Sequence, residues 1–178
     1  RAVIGAGCHV YQRGNRFFPA TGYPADALEP ERELWVLHPS GDPLPEPAAA
    51  EAAGPQPPPA VLLLDGSWRQ AGEMLASMHG RGRCVRLPAA ATSEPSRYWL
   101  RDQAKPEQLC TAEALMGVLT AVGEPEAAQK LRLHFELHVY ATLLVRGHRE
   151  LAERYLGHSP LLTEASDALS RLHARRGA

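Results

Sequence analysis

Ala60 to Leu64 (AVLLL) is an uninterrupted apolar run of strand length that stops at Asp65-Gly66-Ser67-Trp68. A run without polar alternation is the pattern of a central strand buried on both faces, as in parallel sheets covered by helices. Ser67 is a good N-cap, and Trp68, Ala71, Leu75 and Met78 then recur at helical spacing. The chain therefore runs strand, tight glycine turn, helix. Asp65 falls at the carboxyl end of the strand, where open α/β sheets place their ligands.

The rest of the chain alternates in the same way, which predicts an α/β domain. Arg1 to Val10 reads as a strand rich in small residues, with Gly5 and Gly7 allowing a close approach to the backbone. Glu33 to His38 (ELWVLH) reads as a second strand, and the proline-dense stretch from Pro43 to Pro59 as a surface loop with one short helix. Cys84 to Leu87 is a short strand. A loop with Pro88 and Pro95 leads from it to Ser96-Arg97-Tyr98-Trp99-Leu100-Arg101. Thr111 is placed to cap a helix through Val122, with Glu113 in its positive first turn. Pro125 suits the first turn of a longer helix to about Val145. That helix carries two apolar stripes, one through Ala128, Leu131, Phe135, Val139 and Thr142, the other through Leu133, Leu137, Tyr140 and Leu144. Two stripes place it between layers or at a subunit contact. Pro160 to Arg176 reads as a last amphipathic helix with a basic end.

Composition narrows the function less than the pattern does. In 178 residues, 19 Lys and Arg oppose 20 Asp and Glu, so a nucleic-acid partner must be argued from local features. Lys105 and Lys130 apart, the Lys/Arg positions are all Arg, the better fork for phosphate, clustered at Arg81, Arg83 and Arg86, at Arg146 and Arg149, and at Arg171, Arg175 and Arg176. Solvated surface charge explains any one cluster equally well. No apolar run approaches the ~20 residues of a membrane span and no leader opens the chain, so a cytoplasmic protein without a membrane partner is expected. The first residue is Arg1 rather than Met, and a further N-terminal segment is expected. Cys8, Cys84 and Cys110 form no CxxC pair and read as reduced thiols. His134 and His138 share a helix face at metal-binding spacing, but no third ligand is evident and no metal is expected.

The run LLLDGSWRQAGEML resembles the signature of the DTW-domain family: a strand, then Asp-x-Thr/Ser-Trp, then a helix containing Gln-Ala. Ser96 to Arg101 is similar to the family's Ser-x-Tyr-x-Leu-Arg element, and Leu109-Cys110-Thr111-Ala112-Glu113-Ala114 to its Leu-Ser/Cys-Thr-x-Glu-Ala element. Ala20-Thr21-Gly22 and Leu37-His38-Pro39 are weaker matches to an Asn-Thr-Gly and a Leu-Tyr-Pro element. The resemblance covers roughly residues 19–149 and rests on three elements in order at compatible spacing. Two features depart from the family: its usual N-terminal cysteine cluster, expected to bind zinc, has no match here, and Ala20 stands where Asn is common.

The resemblance implies a SPOUT-like α/β fold, a parallel sheet flanked by helices with a knotted C-terminal half that holds S-adenosylmethionine (SAM). Residues 1–150 would form the catalytic domain and residues 151–178 a helical extension of it. The implied reaction moves the 3-amino-3-carboxypropyl group of SAM to N3 of a tRNA uridine and releases methylthioadenosine. Such an alkylation needs alignment of two substrates and an acceptor for one proton. Asp65 is the candidate catalytic residue, either taking the N3 proton or orienting it; capping of the next helix is the structural alternative. Ser67, Trp68, Leu109, Thr111 and Glu113 are the expected SAM contacts. Trp68 would form a pocket wall or pack in the core, Ser67 would cap a helix whose N-terminus favours the SAM carboxylate, and Glu113 would hold the methionine ammonium. Arg97, Tyr98 and Arg101 are the expected tRNA contacts, with Tyr98 or Trp99 stacking on the flipped base. A SPOUT-type RNA methyltransferase and a non-catalytic RNA-binding protein are the alternatives, and the chain is either a monomer or a homodimer.

Overall fold

The structure, a computed structural model, describes residues 11–12, 16–17, 32–44, 59–78, 80–89, 95–101 and 108–165. The strand expected over residues 1–10, the Ala20-Thr21-Gly22 element and most of the proline-rich loop lie outside them.

Among the described residues, β1 (Tyr11–Gln12) and β2 (Arg16–Phe17) make a small antiparallel pair. The site is positioned by a second sheet, with β3 (Leu34–Pro43) at its centre, β4 (Ala60–Leu63) on one side and β5 (Arg83–Arg86) on the other, all parallel. Side chains sort by strand alternation. Leu34, Val36 and Leu62 face one cluster, which Leu75 and Met78 complete, while Trp35, Leu37, Val61 and Val85 face the other. The central place expected for β4 belongs to β3. All four β4 residues are half-buried, and among the described strands β4 pairs on one side only. An apolar run reports coverage of its faces and says nothing about its neighbours in the sheet.

β3 is also longer than the ELWVLH pattern suggests. After Leu37 pairs with Val85 the strand makes an excursion and rejoins β5 when Asp42 pairs with the same Val85. Gly41 makes the return possible: a Cβ there would lie 2.5 Å from the backbone nitrogen of Val85. Only a residue without a side chain can approach so closely.

α1 (Trp68–Ser77) follows β4 and is capped as its sequence predicts. The Ser67 hydroxyl accepts the Gln70 N–H at 3.3 Å and Gln70 Oε1 accepts the Ser67 N–H at 2.8 Å, a reciprocal capping box. Its buried face runs through Ala71, Met74 and Met78, which leaves Trp68 42 % exposed.

The remaining helices form a bundle from α2 (Thr111–Ala121), α3 (Pro125–Val145) and α4 (Arg149–Gly157), followed by a helical turn at 160–165. Pro125 opens α3 as its fixed φ favours. The turn before it is a Schellman motif: Gly123 has φ +84°, Glu124 N–H reaches the Leu119 carbonyl at 2.8 Å and Gly123 N–H the Thr120 carbonyl at 3.2 Å. The bundle core joins Met116 of α2 to Phe135, Val139 and Leu143 of α3, Ala152 and Tyr155 of α4, and Leu162. Of the two apolar stripes of α3, the one through Ala128, Phe135 and Val139 is buried; on the other, Leu133, Leu137 and Tyr140 are half-buried and Leu144 is 41 % exposed.

Candidate functional site

Three segments far apart in sequence meet where the sheet joins the bundle. Asp65, just past the end of β4, is exposed, and its Oδ1 accepts the Thr111 hydroxyl at 2.8 Å. Thr111 is therefore not the cap of α2. The N-cap is Cys110, one residue earlier, and the Thr111 side chain is turned to the strand end instead.

Glu113 ties in the other segment. One of its carboxylate oxygens accepts the Ser96 hydroxyl at 2.7 Å and the Cys110 N–H at 2.9 Å; the other accepts the Arg97 N–H at 2.6 Å. Ser96 in turn accepts the Tyr98 N–H at 3.1 Å. Position three of a helix is where a carboxylate can reach back to the cap, and its charge suits the positive helix end. Glu113 thus fastens the loop at 95–101 to the start of α2. Burial, with Glu113 beside it, pushes the Cys110 thiol up to about 12. A thiol held neutral in this way is a poor nucleophile at ordinary pH.

Beside this junction lies a cleft of about 550 Å³, lined by Arg97, Leu109 and Glu113 together with Phe135, Glu136 and Leu161. Of the residues singled out from sequence, Arg97, Leu109 and Glu113 border it; Asp65 and Thr111, bonded to each other, do not. Ser67 and Trp68 do not line it; the Ser67 side chain is engaged with Gln70. A second cleft of about 430 Å³, lined by Val36, Gly72, Leu75, Met78 and Cys84, runs along α1 and is lined by none of Asp65, Arg97 and Glu113.

The aromatic and basic residues of the loop divide. The Trp99 ring packs edge-on against Tyr155 at 5.1 Å, inside the bundle. Tyr98 stacks on Phe135 with centroids 6.2 Å apart, and the exposed Arg101 guanidinium sits 5.4 Å from the Tyr98 ring centroid. The Arg97 guanidinium lies 4.3 Å over the Tyr155 ring and donates to the Tyr155 carbonyl at 3.3 Å, with its Nε 3.8 Å from Glu136. Glu136, Tyr155 and Ser159 escaped the sequence reading. One signal was available: Glu136 sits in phase with Val139 and Leu143, on the face of α3 that is otherwise apolar. Burial, then the neighbouring Glu136 charge, raises the Tyr155 phenol well above the ordinary range.

His134 and His138 are both exposed, and among the described residues no group of three His, Cys, Asp or Glu side chains is placed to hold a metal. No helix among them is long and apolar enough to cross a membrane.

Residues 6–143 match the family model of the DTW domain. The chain belongs to the DTW family. The match spans all three segments that meet at the junction, and DTW domains are associated with tRNA-modifying enzymes. No solved structure matches the chain.

Proposed function

We propose that this DTW protein transfers the 3-amino-3-carboxypropyl group of SAM to N3 of a tRNA uridine. The observation that carries the reading is the meeting of the three signature segments: Thr111 joins Asp65 to the start of α2, and Glu113 joins that start to the loop of Ser96 and Arg97. Nothing in their sequence spacing requires this. The cleft beside them has the size and mixed lining of a small-molecule site, with apolar walls at Leu109, Met116 and Phe135 and charges at Arg97, Arg132, Glu113 and Glu136. Such a lining fits a molecule with an apolar body and a zwitterionic end.

In the proposed reaction the uridine N3–H bond breaks toward the Asp65 carboxylate, which the Thr111 hydroxyl orients. N3 bonds to the methionine Cγ while the Cγ–S bond breaks, its electron pair going to sulfur. The sulfonium becomes a neutral thioether, so no acid is needed for departure. An exposed carboxylate suits a polynucleotide substrate, whose base must be brought to it from outside. Arg101 beside Tyr98, with Arg146 donating to the Leu100 carbonyl at 3.2 Å, supplies positive charge on the same loop for the tRNA backbone. The SPOUT-like architecture with its C-terminal knot and a cytoplasmic setting belong to the same proposal; the parallel sheet with its strand-end carboxylate supports the first.

Incubation of unmodified tRNA with SAM, and mass spectrometry of the adenosine product, tests the reading. Methylthioadenosine is expected from the wild type, and at least ~100-fold less from Asp65→Ala, the usual scale for removing a general base. S-adenosylhomocysteine as product would make the protein a methyltransferase. RNA binding without turnover would make it a binding protein.

A further inference from the structure

Outside the signature segments the described residues bury charge in one place. Glu136 is 4 % exposed, near the middle of α3. A carboxylate taken out of water is costly unless it is paired and hydrogen-bonded. Here the buried Ser159 hydroxyl donates to one oxygen, and Arg97 Nε lies 3.8 Å from the other. Ser159 also accepts the Leu162 N–H at 3.1 Å, so it is fixed in turn by the helical turn at 160–165. Arg97 is held from the far side by the ring and carbonyl of Tyr155. Tyr155 is fully buried, and its hydroxyl has no hydrogen-bond partner among the described residues.

The orientation of one guanidinium is therefore set by α3, α4 and the turn at 160–165. Tyr155, Ser159 and the cleft-lining Leu161 all lie beyond residue 143, where the family match ends. Arg97 needs no such support to be a surface cation. It lines the cleft beside Glu113 and Glu136, and a guanidinium has five N–H donors, more than its contacts with Tyr155 and Glu136 use.

We infer that Arg97 is the contact for the carboxylate of the SAM amino-acid end, and that Glu136, Ser159 and Tyr155 are positioning residues that hold it at the cleft. This rests on the reading that the cleft takes SAM. The cleft is also lined by Arg132, which is exposed, but Arg97 is the half-buried cation beside its two carboxylates. That arrangement matches a zwitterion: the carboxylate meets the Arg97 fork and the ammonium lies toward Glu113. In this reaction the zwitterionic group is itself the cargo, so gripping both of its charges fixes Cγ for attack.

Two ligands separate this from a general structural role. S-adenosylhomocysteine carries the amino-acid end, and methylthioadenosine lacks it. Calorimetric titration of the full chain is expected to show Arg97→Met and Glu136→Gln weakening S-adenosylhomocysteine at least tenfold while methylthioadenosine stays within twofold. Ser159→Ala, the milder change should Glu136→Gln fail to fold, shifts binding in the same direction by a smaller factor. Equal weakening of both ligands, or no change in either, overturns the inference. A wild type that binds methylthioadenosine but gains nothing from the amino-acid end overturns it while leaving the SAM reading standing. A wild type that binds neither ligand brings down the proposed function and this inference with it.

Discussion

In the sheet, strand alternation sorts side chains into two small apolar clusters, one on each face, and the backbone ladders of β3 carry the order. In the bundle, a larger cluster surrounds Val139 and Tyr155, both fully buried, and closes over a carboxylate and a hydroxyl. Past a strand end of the sheet, Asp65 stays in solvent; the bundle draws Glu136 and Ser159 inside. The difference separates two duties. An exposed carboxylate can meet an incoming macromolecule, whereas a buried one can only arrange its neighbours. The candidate site lies along the line where the two regions touch, and it takes one kind of carboxylate from each.

The largest stability effect that sharpens this contrast is cavity formation in the bundle. Leu143 is 1 % exposed, and Leu143→Ala is expected to cost about 3 kcal/mol, as large-to-small changes in packed cores do. Leu62→Ala, at a half-buried sheet position, is expected to cost about 1 kcal/mol. Urea denaturation of both variants measures the difference, and equal losses would erase the distinction between the regions.

A smaller effect probes the seam. Thr111→Val removes the hydroxyl from Asp65 and keeps the side-chain shape. Activity is expected to fall about tenfold, the scale of one charged hydrogen bond, with the melting temperature little changed. Thr111→Ser keeps the hydroxyl and is expected to restore most of the rate. Full activity in the valine variant would show that Asp65 needs no orientation from α2.

The effect that vanishes at ordinary pH is a pH dependence on the bundle side. Folding raises the Cys110 thiol from 9.0 to about 12, so the folded state keeps a proton that the unfolded chain gives up. With more protons bound in the native state, stability falls as pH rises. The loss begins as pH passes about 9 and levels off toward 12. Alkaline unfolding curves of the wild type and Cys110→Ser are expected to diverge only in that window; parallel curves would mean that the thiol is not burdened by its burial.

The strand end at Asp65 and the first-turn acid Glu113 leave local signatures, whereas the loop at 96–101 stands out only through the family resemblance, and the cap of α2 is Cys110 rather than the expected Thr111. The apolar run at 60–64, the Ser67 cap, the β5 strand and the span of α3 were equally plain, since each depends on periodicity or on a terminal residue. Whether β4 or β3 holds the centre of the sheet was not legible, because burial of a strand does not name its neighbours. Nor was the exposure of Trp68, which depends on which arc of α1 meets β3 and β4.

Only the folded chain brought Glu136 and Tyr155 to Arg97, and Ser159 to Glu136. A buried carboxylate is tolerated when partners from distant positions arrive together, and Ser159 lies 23 residues from Glu136. The sequence by itself determined the elements, their caps and the chemistry on offer at each end. The tertiary structure decided which of those groups share a cleft, because packing, unlike capping or periodicity, is settled between residues that have no local claim on one another.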